Sequence, residues 1–290
     1  MKEILFLSGK GGTGKTSITG GLAYIAEEVL VFADSDVDAS NLHLVLGNDI
    51  MESREFTNGF IANVDTTKCT GCGICEKECM FDSIHVISKK AEVNDFLCEG
   101  CGLCEKLCPE KAINMNDLIA GSIITYRTRR GKLLVGATMT SKRERSGKLV
   151  SEVKREAKEA AKKMNADYLL VDGPPGIGCP AIASLGGVNY AVLVTEPTLS
   201  GYHDVERVFA LIKYFKLKTG MIINKSDIND RLKIKLNEFA EKNGITLLGE
   251  IPYDDDFIKG LKLNVTIAEQ SPKINSILKV IWENIKKETL

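Results

Sequence analysis

The sequence predicts an α/β protein with a mostly parallel, doubly wound sheet, interrupted by a small cysteine-rich insert. Three observations carry this. Short apolar runs alternate with amphipathic helical stretches, a glycine-rich loop joins the first run to the first helix, and eight of nine cysteines fall between Cys69 and Cys108. With 290 residues, 44% of them hydrophobic and 27% charged, the chain is core-forming, which excludes disordered and fibrous classes. A formal net charge of −1 exerts no global pull toward nucleic acid, so no nucleic-acid partner is expected. No apolar run reaches the roughly 18 residues of a membrane span. The apolar part of the start is too short for a secretory signal and breaks directly into glycines, so a cytoplasmic protein without stable membrane association is expected.

The elements follow in order. Residues 3–8 form a buried-strand run ahead of the glycine loop, and 15–28 read as a helix. A second run, 29–33, ends at Asp34. Beyond the insert, 122–127 and 132–138 suggest a hairpin across Arg130-Gly131, followed by a charged helix over 147–163. Further strands are expected at 168–171, 190–194, 220–223 and 246–251, separated by helices near 204–216 and 230–243 and closed by one at 273–287. The insert repeats itself, because Cys69, Cys72, Cys75 and Cys79 recur 29 residues later as Cys98, Cys101, Cys104 and Cys108. Setting aside 59–118 leaves 1–58 and 119–290 as one α/β domain of ordinary size.

Gly9 to Thr16 satisfies G-x-x-x-x-G-K-[ST] between a strand and a helix. The backbone N–H groups of Gly11, Gly12, Thr13 and Gly14, continuing through Thr16 and Ser17, can wrap phosphates at the helix N-terminus. Lys15 is expected on the β/γ-phosphates and the Thr16 hydroxyl on Mg²⁺, with ATP or ADP as ligand.

The second lysine of this loop, Lys10 in KGGTGKT, resembles the deviant Walker A loop of the MinD/ParA/Mrp/nitrogenase-iron-protein ATPases. That resemblance implies an ATP-dependent homodimer in which Lys10 reaches the partner's phosphates, much as an arginine finger does. The segment after the second strand, ADSDVDASN, resembles the family's D-x-D-x-x-x-x-N switch. By resemblance Asp36 positions the attacking water and Asp34 acts near Mg²⁺, with Asp38 a third carboxylate that leaves the assignment open. LLVDGPPG resembles a Walker B strand whose Asp172 holds Mg²⁺, while Asn224 and Pro252 fall where the family places its adenine-side loops.

Each cysteine set has the C-x-x-C-x-x-C-x-x-x-C spacing of two-cluster bacterial ferredoxins, in which the fourth cysteine serves the other cluster. One [4Fe–4S] cluster would use Cys69, Cys72, Cys75 and Cys108, and the second Cys79, Cys98, Cys101 and Cys104. Zinc is the competing metal, but its sites come as C-x-x-C pairs. Eight clustered cysteines in a cytosolic chain suit metal better than disulfides.

The remaining candidates read as structural. Cys179 is expected to be a small buried residue near a helix start. His43, His85 and His203 lack ligand spacing, and Arg127, Arg129, Arg130 and Lys132, with Lys142, Arg143 and Arg145, read as a solvated basic face. The last helix, with Ile274, Ile277, Leu278, Ile281 and Ile285, should pack on the core. The chain as a whole resembles MinD-superfamily ATPases containing an inserted ferredoxin domain. The function this implies is an ATPase whose dimer closure gates electron transfer to a redox partner protein. Cluster or metallocofactor assembly of the Mrp kind, with a cofactor-assembly partner, and a MinD/ParA-type positioning switch are the alternatives.

Overall fold

In the computed structural model, which describes residues 1–140 and 146–290, the strands are β1 (Lys2–Ser8), β2 (Leu30–Asp34), β3 (Asp49–Val64), β4 (Ile84–Ile87), β5 (Lys90–Val93), β6 (Ile113–Arg127), β7 (Leu133–Met139), β8 (Tyr168–Pro175), β9 (Tyr190–Thr195), β10 (Lys218–Asn224) and β11 (Thr246–Ile251). The helices are α1 (Lys15–Ile25), α2 (Leu42–Leu46), α3 (Ile74–Lys77), α4 (Leu103–Leu107), α5 (Ser146–Lys163), α6 (Cys179–Leu185), α7 (Leu199–Tyr214), α8 (Asp230–Lys242), α9 (Asp256–Lys262), α10 (Ile267–Gln270) and α11 (Pro272–Thr289). By packing, the chain divides into two compact units. The larger comprises Met1–Arg54, Ile123–Thr138 and Ser146–Leu290, and the smaller Glu55–Ser122 with Met139 and Thr140.

Nine strands form one sheet in the order β11-β10-β9-β1-β8-β2-β7-β6-β3, and every pairing from β11 to β7 is parallel. The central strands are buried on both faces, which is why β1, β2 and β9 read as continuous apolar runs and not as alternating ones. Ile18 and Leu22 of α1 pack with Ile274, Leu278, Ile281 and Ile285 of α11 in one core against Ile4, Phe6 and Phe32. The last helix thus uses its apolar stripe inside the fold, as its spacing predicts. The expected turn is present: Thr128 N donates to Lys132 O, and Gly131 takes a φ of 73° that a side chain would disfavour.

Two strands are longer than any apolar pattern indicates. β3 and the first part of β6 are mostly exposed or half-buried, so nothing in their sequences marks them.

The smaller unit carries the duplication into its hydrogen bonds. Asp65 N donates to Ala112 O and, 29 residues on, Asn94 N donates to Ser83 O, both at 2.7 Å, so each repeat binds the other. Val86 N donates to Glu76 Oε1 at 3.1 Å and Met115 N to Glu105 Oε1 at 3.0 Å, again one repeat apart. Gly71 and Gly100 share a positive φ, and a Cβ on either would lie within 2.4 Å of a carbonyl oxygen, Lys89 O or Phe60 O.

Candidate functional site

The sheet delivers two carboxylates to one place. β2 and β8 end in register with Asp34 beside Asp172, next to the loop that leaves β1. Gly14, at φ 91°, precedes α1 and opens into a cavity of about 470 Å³ lined by Gly11 to Ser17, Asp36, Asn41, Pro175 and Leu261. The expected phosphate-loop residues therefore converge.

Lys15 donates to Asp172 Oδ1 at 2.7 Å and Thr16 Oγ1 to Asp172 Oδ2 at 2.6 Å. Asp34 accepts from Ser40 Oγ at 2.8 Å, Leu42 N at 3.0 Å and Asp36 N at 3.2 Å. Burial and the neighbouring Asp172 charge raise the Asp34 carboxyl to about 7, against the pull of those donors. Of the three switch carboxylates, Asp34 is buried and tied down, Asp36 faces the cavity, and Asp38 is exposed. Burial also pushes the Asp36 carboxyl upward.

Other expected residues are placed differently. Asn224 donates from Nδ2 to Thr13 O at 2.8 Å, bracing the loop, and neither it nor Pro252 lines this cavity. Lys10 also lies off the cavity and pairs with Glu196 at 2.8 Å. Glu196 and Ser200 escaped the sequence reading, because single polar residues after strands carry no motif. Lys225, which follows Asn224 in the expected adenine-side loop, pairs with Glu196 at 2.6 Å.

In the smaller unit the cysteines fall into two sets. A cavity of about 240 Å³ is lined by Cys79, Cys98, Cys101 and Cys104, with Cys75 between the sets. A narrow one of about 20 Å³ is lined by Cys69, Cys72, Cys75 and Cys108. Ala91 N donates to Cys69 Sγ at 3.4 Å, Ala112 N to Cys108 Sγ at 3.3 Å, and Ser83 Oγ lies 3.2 Å from Cys79 Sγ. Burial pushes the Cys75 thiol up and that of Cys104 to about 11. Among the described residues, no three His, Cys, Asp or Glu are grouped as a single metal ion would require.

Some expectations are corrected. Cys179 is exposed at the start of α6, not buried. The basic face is only partly solvated. Arg129 donates to Val45 O and Asn264 O, and Lys132 to Ala23 O and Ala26 O at the end of α1. Burial lowers the Lys132 amine to about 8. Lys142, Arg143 and Arg145 lie outside the described residues. His43 stacks on Tyr126 with centroids 5.1 Å apart, while His85 and His203 neighbour carboxylates on the surface.

The family model for the CobQ/CobB/MinD/ParA nucleotide-binding domain matches residues 4–267. The chain belongs to that family. It is a P-loop ATPase of the MinD/ParA type, with the family's mostly parallel sheet. An uncharacterized protein of Methanocaldococcus jannaschii is 30% identical over 287 residues, covering 98% of this chain and 96% of its own. The septum site-determining protein MinD of Neisseria meningitidis is 28% identical over 284 residues, covering 93% of this chain and 84% of its own. The solved MinD of Pyrococcus horikoshii, complexed with Mg-ADP, superposes with a TM-score of 0.56 at 20% identity over 97% of this chain and 95% of its own. These matches bear on the nucleotide fold and not on iron–sulfur chemistry, so the expected clusters and electron transfer rest on the cysteine pattern alone.

Proposed function

We propose that the chain is an ATP-driven switch: it binds Mg²⁺–ATP, pairs with a second copy, and separates after hydrolysis. What supports this most is the cavity that gathers Gly11 to Ser17 with Asp36 beside the Lys15–Asp172–Thr16 contacts. Mg²⁺ would neutralise phosphate charge there, held by Thr16 with Asp34 and Asp172. Lys15 would hold the β/γ-phosphates and Asp36 would orient water. Lys10 would serve the partner's phosphates. The similarity to the septum site-determining protein MinD of Neisseria meningitidis over 93% of this chain favours a switch that positions or recruits another protein. The test is nucleotide binding and hydrolysis in variants. Lys15→Ala should abolish ATP binding, and Lys10→Ala should retain it while losing hydrolysis. Equal loss of affinity in both would make Lys10 a ligand within its own chain and end the paired model.

A second reading is carried by the segregation of the cysteines. In it, Cys69, Cys72, Cys75 and Cys108 hold one [4Fe–4S] cluster and Cys79, Cys98, Cys101 and Cys104 another, within an inserted ferredoxin domain. The larger cavity is lined by five thiols, Cys75 among them, and the narrow one by four, and the narrow one must widen to take such a group. Bound clusters would accept and release single electrons. The switch would then control electron delivery to a redox partner, or cluster delivery to an assembly partner. Raised ATPase activity with lipid vesicles or DNA and no bound iron would favour positioning. Stable iron retained on contact with acceptor protein would favour electron delivery, and iron lost to an apo-protein would favour assembly.

A further inference from the structure

Lys10 is held within its own chain. Its ammonium lies 2.8 Å from Glu196 Oε1, donates to Ser200 Oγ at 2.7 Å, and reaches Thr198 Oγ1 at 3.5 Å. Thr198 caps α7, accepting from Gly201 N. The cation therefore sits at the positive end of a 16-residue helix, where the helix dipole disfavours it. Among the described residues, Glu196 is the one carboxylate in ion-pair range of Lys10. Glu196 is only 6% exposed, and its other oxygen receives Lys225 at 2.6 Å. Burial alone would raise this carboxyl, but the hydrogen bonds from Lys10 and Lys225 outweigh it and hold it below the usual range. Lys225 also donates to Gly12 O at 3.2 Å, tying the same cluster to the phosphate loop.

We propose that Glu196 is a latch on Lys10: a positioning residue that keeps the lysine at home until a partner's phosphates compete for it. The proposal rests on the reading that Lys10 acts across a pair of chains. The geometry makes release feasible. When Lys10 leaves, Glu196 keeps Lys225, so the buried carboxylate is not stranded. When Lys10 stays, the carboxylate offsets the unfavourable helix end. Pairing therefore includes the cost of opening this contact, and the strength of the latch sets how much ATP-loaded protein is needed before two chains close.

The two neighbours of Lys10 then have opposite effects. Glu196→Gln weakens the hold on Lys10 and should tighten pairing. Among the described residues, Lys225→Met leaves Lys10 as the one cation on Glu196, so it should strengthen the hold and weaken pairing. A merely structural carboxylate gives no such opposition, since losing either partner would damage the same cluster.

The experiment is analytical ultracentrifugation of the full-length protein and its variants with Mg²⁺ and a non-hydrolysable ATP analogue, alongside nucleotide affinity of the dilute single chain. Glu196→Gln should lower the dimer dissociation constant by roughly two- to fivefold, as loss of one partly exposed ion pair predicts, and Lys225→Met should raise it by a similar factor. In a Lys10→Ala background both shifts should vanish. Ser200→Ala removes a hydrogen bond from the lysine without touching the buried carboxylate, and should tighten pairing by about twofold even if Glu196→Gln folds poorly. Unchanged or weaker pairing in Glu196→Gln and Ser200→Ala, with Lys10→Ala still impaired, would overturn the latch. Normal pairing and hydrolysis in Lys10→Ala would instead overturn the paired-chain reading beneath it.

Discussion

The ammonium of Lys15 and the hydroxyl of Thr16 bind opposite oxygens of Asp172, at 2.7 and 2.6 Å. Two phosphate-loop residues, Lys15 and Thr16, and the strand-end Asp172 thus form one contact set. Asp34 stands in register with Asp172 on the adjacent strand, so two buried acids share one close cation. The side chains of Lys15 and Asp172 are 6% and 1% exposed, and water screens this pair little.

The first prediction concerns folding. Lys15→Met should destabilise the chain by about 3 kcal/mol, because it strands buried carboxylates without their cation. Adding Asp172→Asn should recover much of that loss, since the remaining acid no longer faces a like charge. Urea unfolding of the two variants without nucleotide checks this. A double variant less stable than Lys15→Met would show that Asp172 is not the source of the penalty.

Asp34 supplies the pH dependence. Its carboxyl is raised to about 7 by burial and by Asp172. An unfolded aspartate titrates near about 4. Between those values the folded chain holds a proton that the unfolded chain has released. This group's contribution to stability is therefore full below about pH 4 and declines as pH rises through about 7. Asp34→Asn retains an acceptor for Ser40 and Leu42 N and has no such titration. Its melting temperature should exceed that of the parent increasingly from pH 5 to about 7 and by a nearly constant margin above that, measured in EDTA, and hydrolysis should fall. Parallel melting profiles would mean that Asp34 ionises normally.

Much of the larger unit was legible in the sequence because its chemistry is local. Gly9 to Ser17 form a continuous motif, and buried parallel strands are continuous apolar runs. The arrangement around Lys10 was not legible. Glu196 is an isolated polar residue, and it and Lys225 come to Lys10 because β9 lies beside β1 and β10 beside β9 in a crossed strand order. Asn224 was read from its position after a strand as a base contact, but that position also lets it brace the loop, and sequence cannot separate the two. β3 escaped because its side chains are largely exposed and follow no burial period.

Asn224 yields the next prediction. Its Nδ2 donates to Thr13 O, and a Cβ on Gly14 would lie 2.3 Å from that same nitrogen. The contact shapes the loop where it must take a φ of 91°. Asn224→Ala should weaken ATP and ADP binding alike, by about fivefold or more, as loss of a buried hydrogen bond predicts. The ratio of ATP to GTP affinity should stay the same. A collapse of that ratio would mean that Asn224 reads the base.

The cysteine sets make the final prediction, and it tests their crossing. Cys108 lines the cavity of Cys69, Cys72 and Cys75, although it lies in the second repeat, while Cys79 of the first repeat lines the cavity of Cys98, Cys101 and Cys104, which Cys75 also borders. The reciprocal bonds Asp65 N to Ala112 O and Asn94 N to Ser83 O bring each repeat's fourth cysteine to the other's first three. If both cavities hold [4Fe–4S] clusters, anaerobically prepared protein should carry about eight iron atoms per chain. Cys108→Ala and Cys69→Ala should then lose the same half of the iron and leave matching reduced spectra. Cys79→Ala and Cys98→Ala should match each other and differ from that pair. Matching of Cys79→Ala with Cys69→Ala would show that each repeat binds its own cluster. Stoichiometric zinc with no reducible signal would remove iron–sulfur chemistry from this unit and leave the nucleotide switch to stand without it.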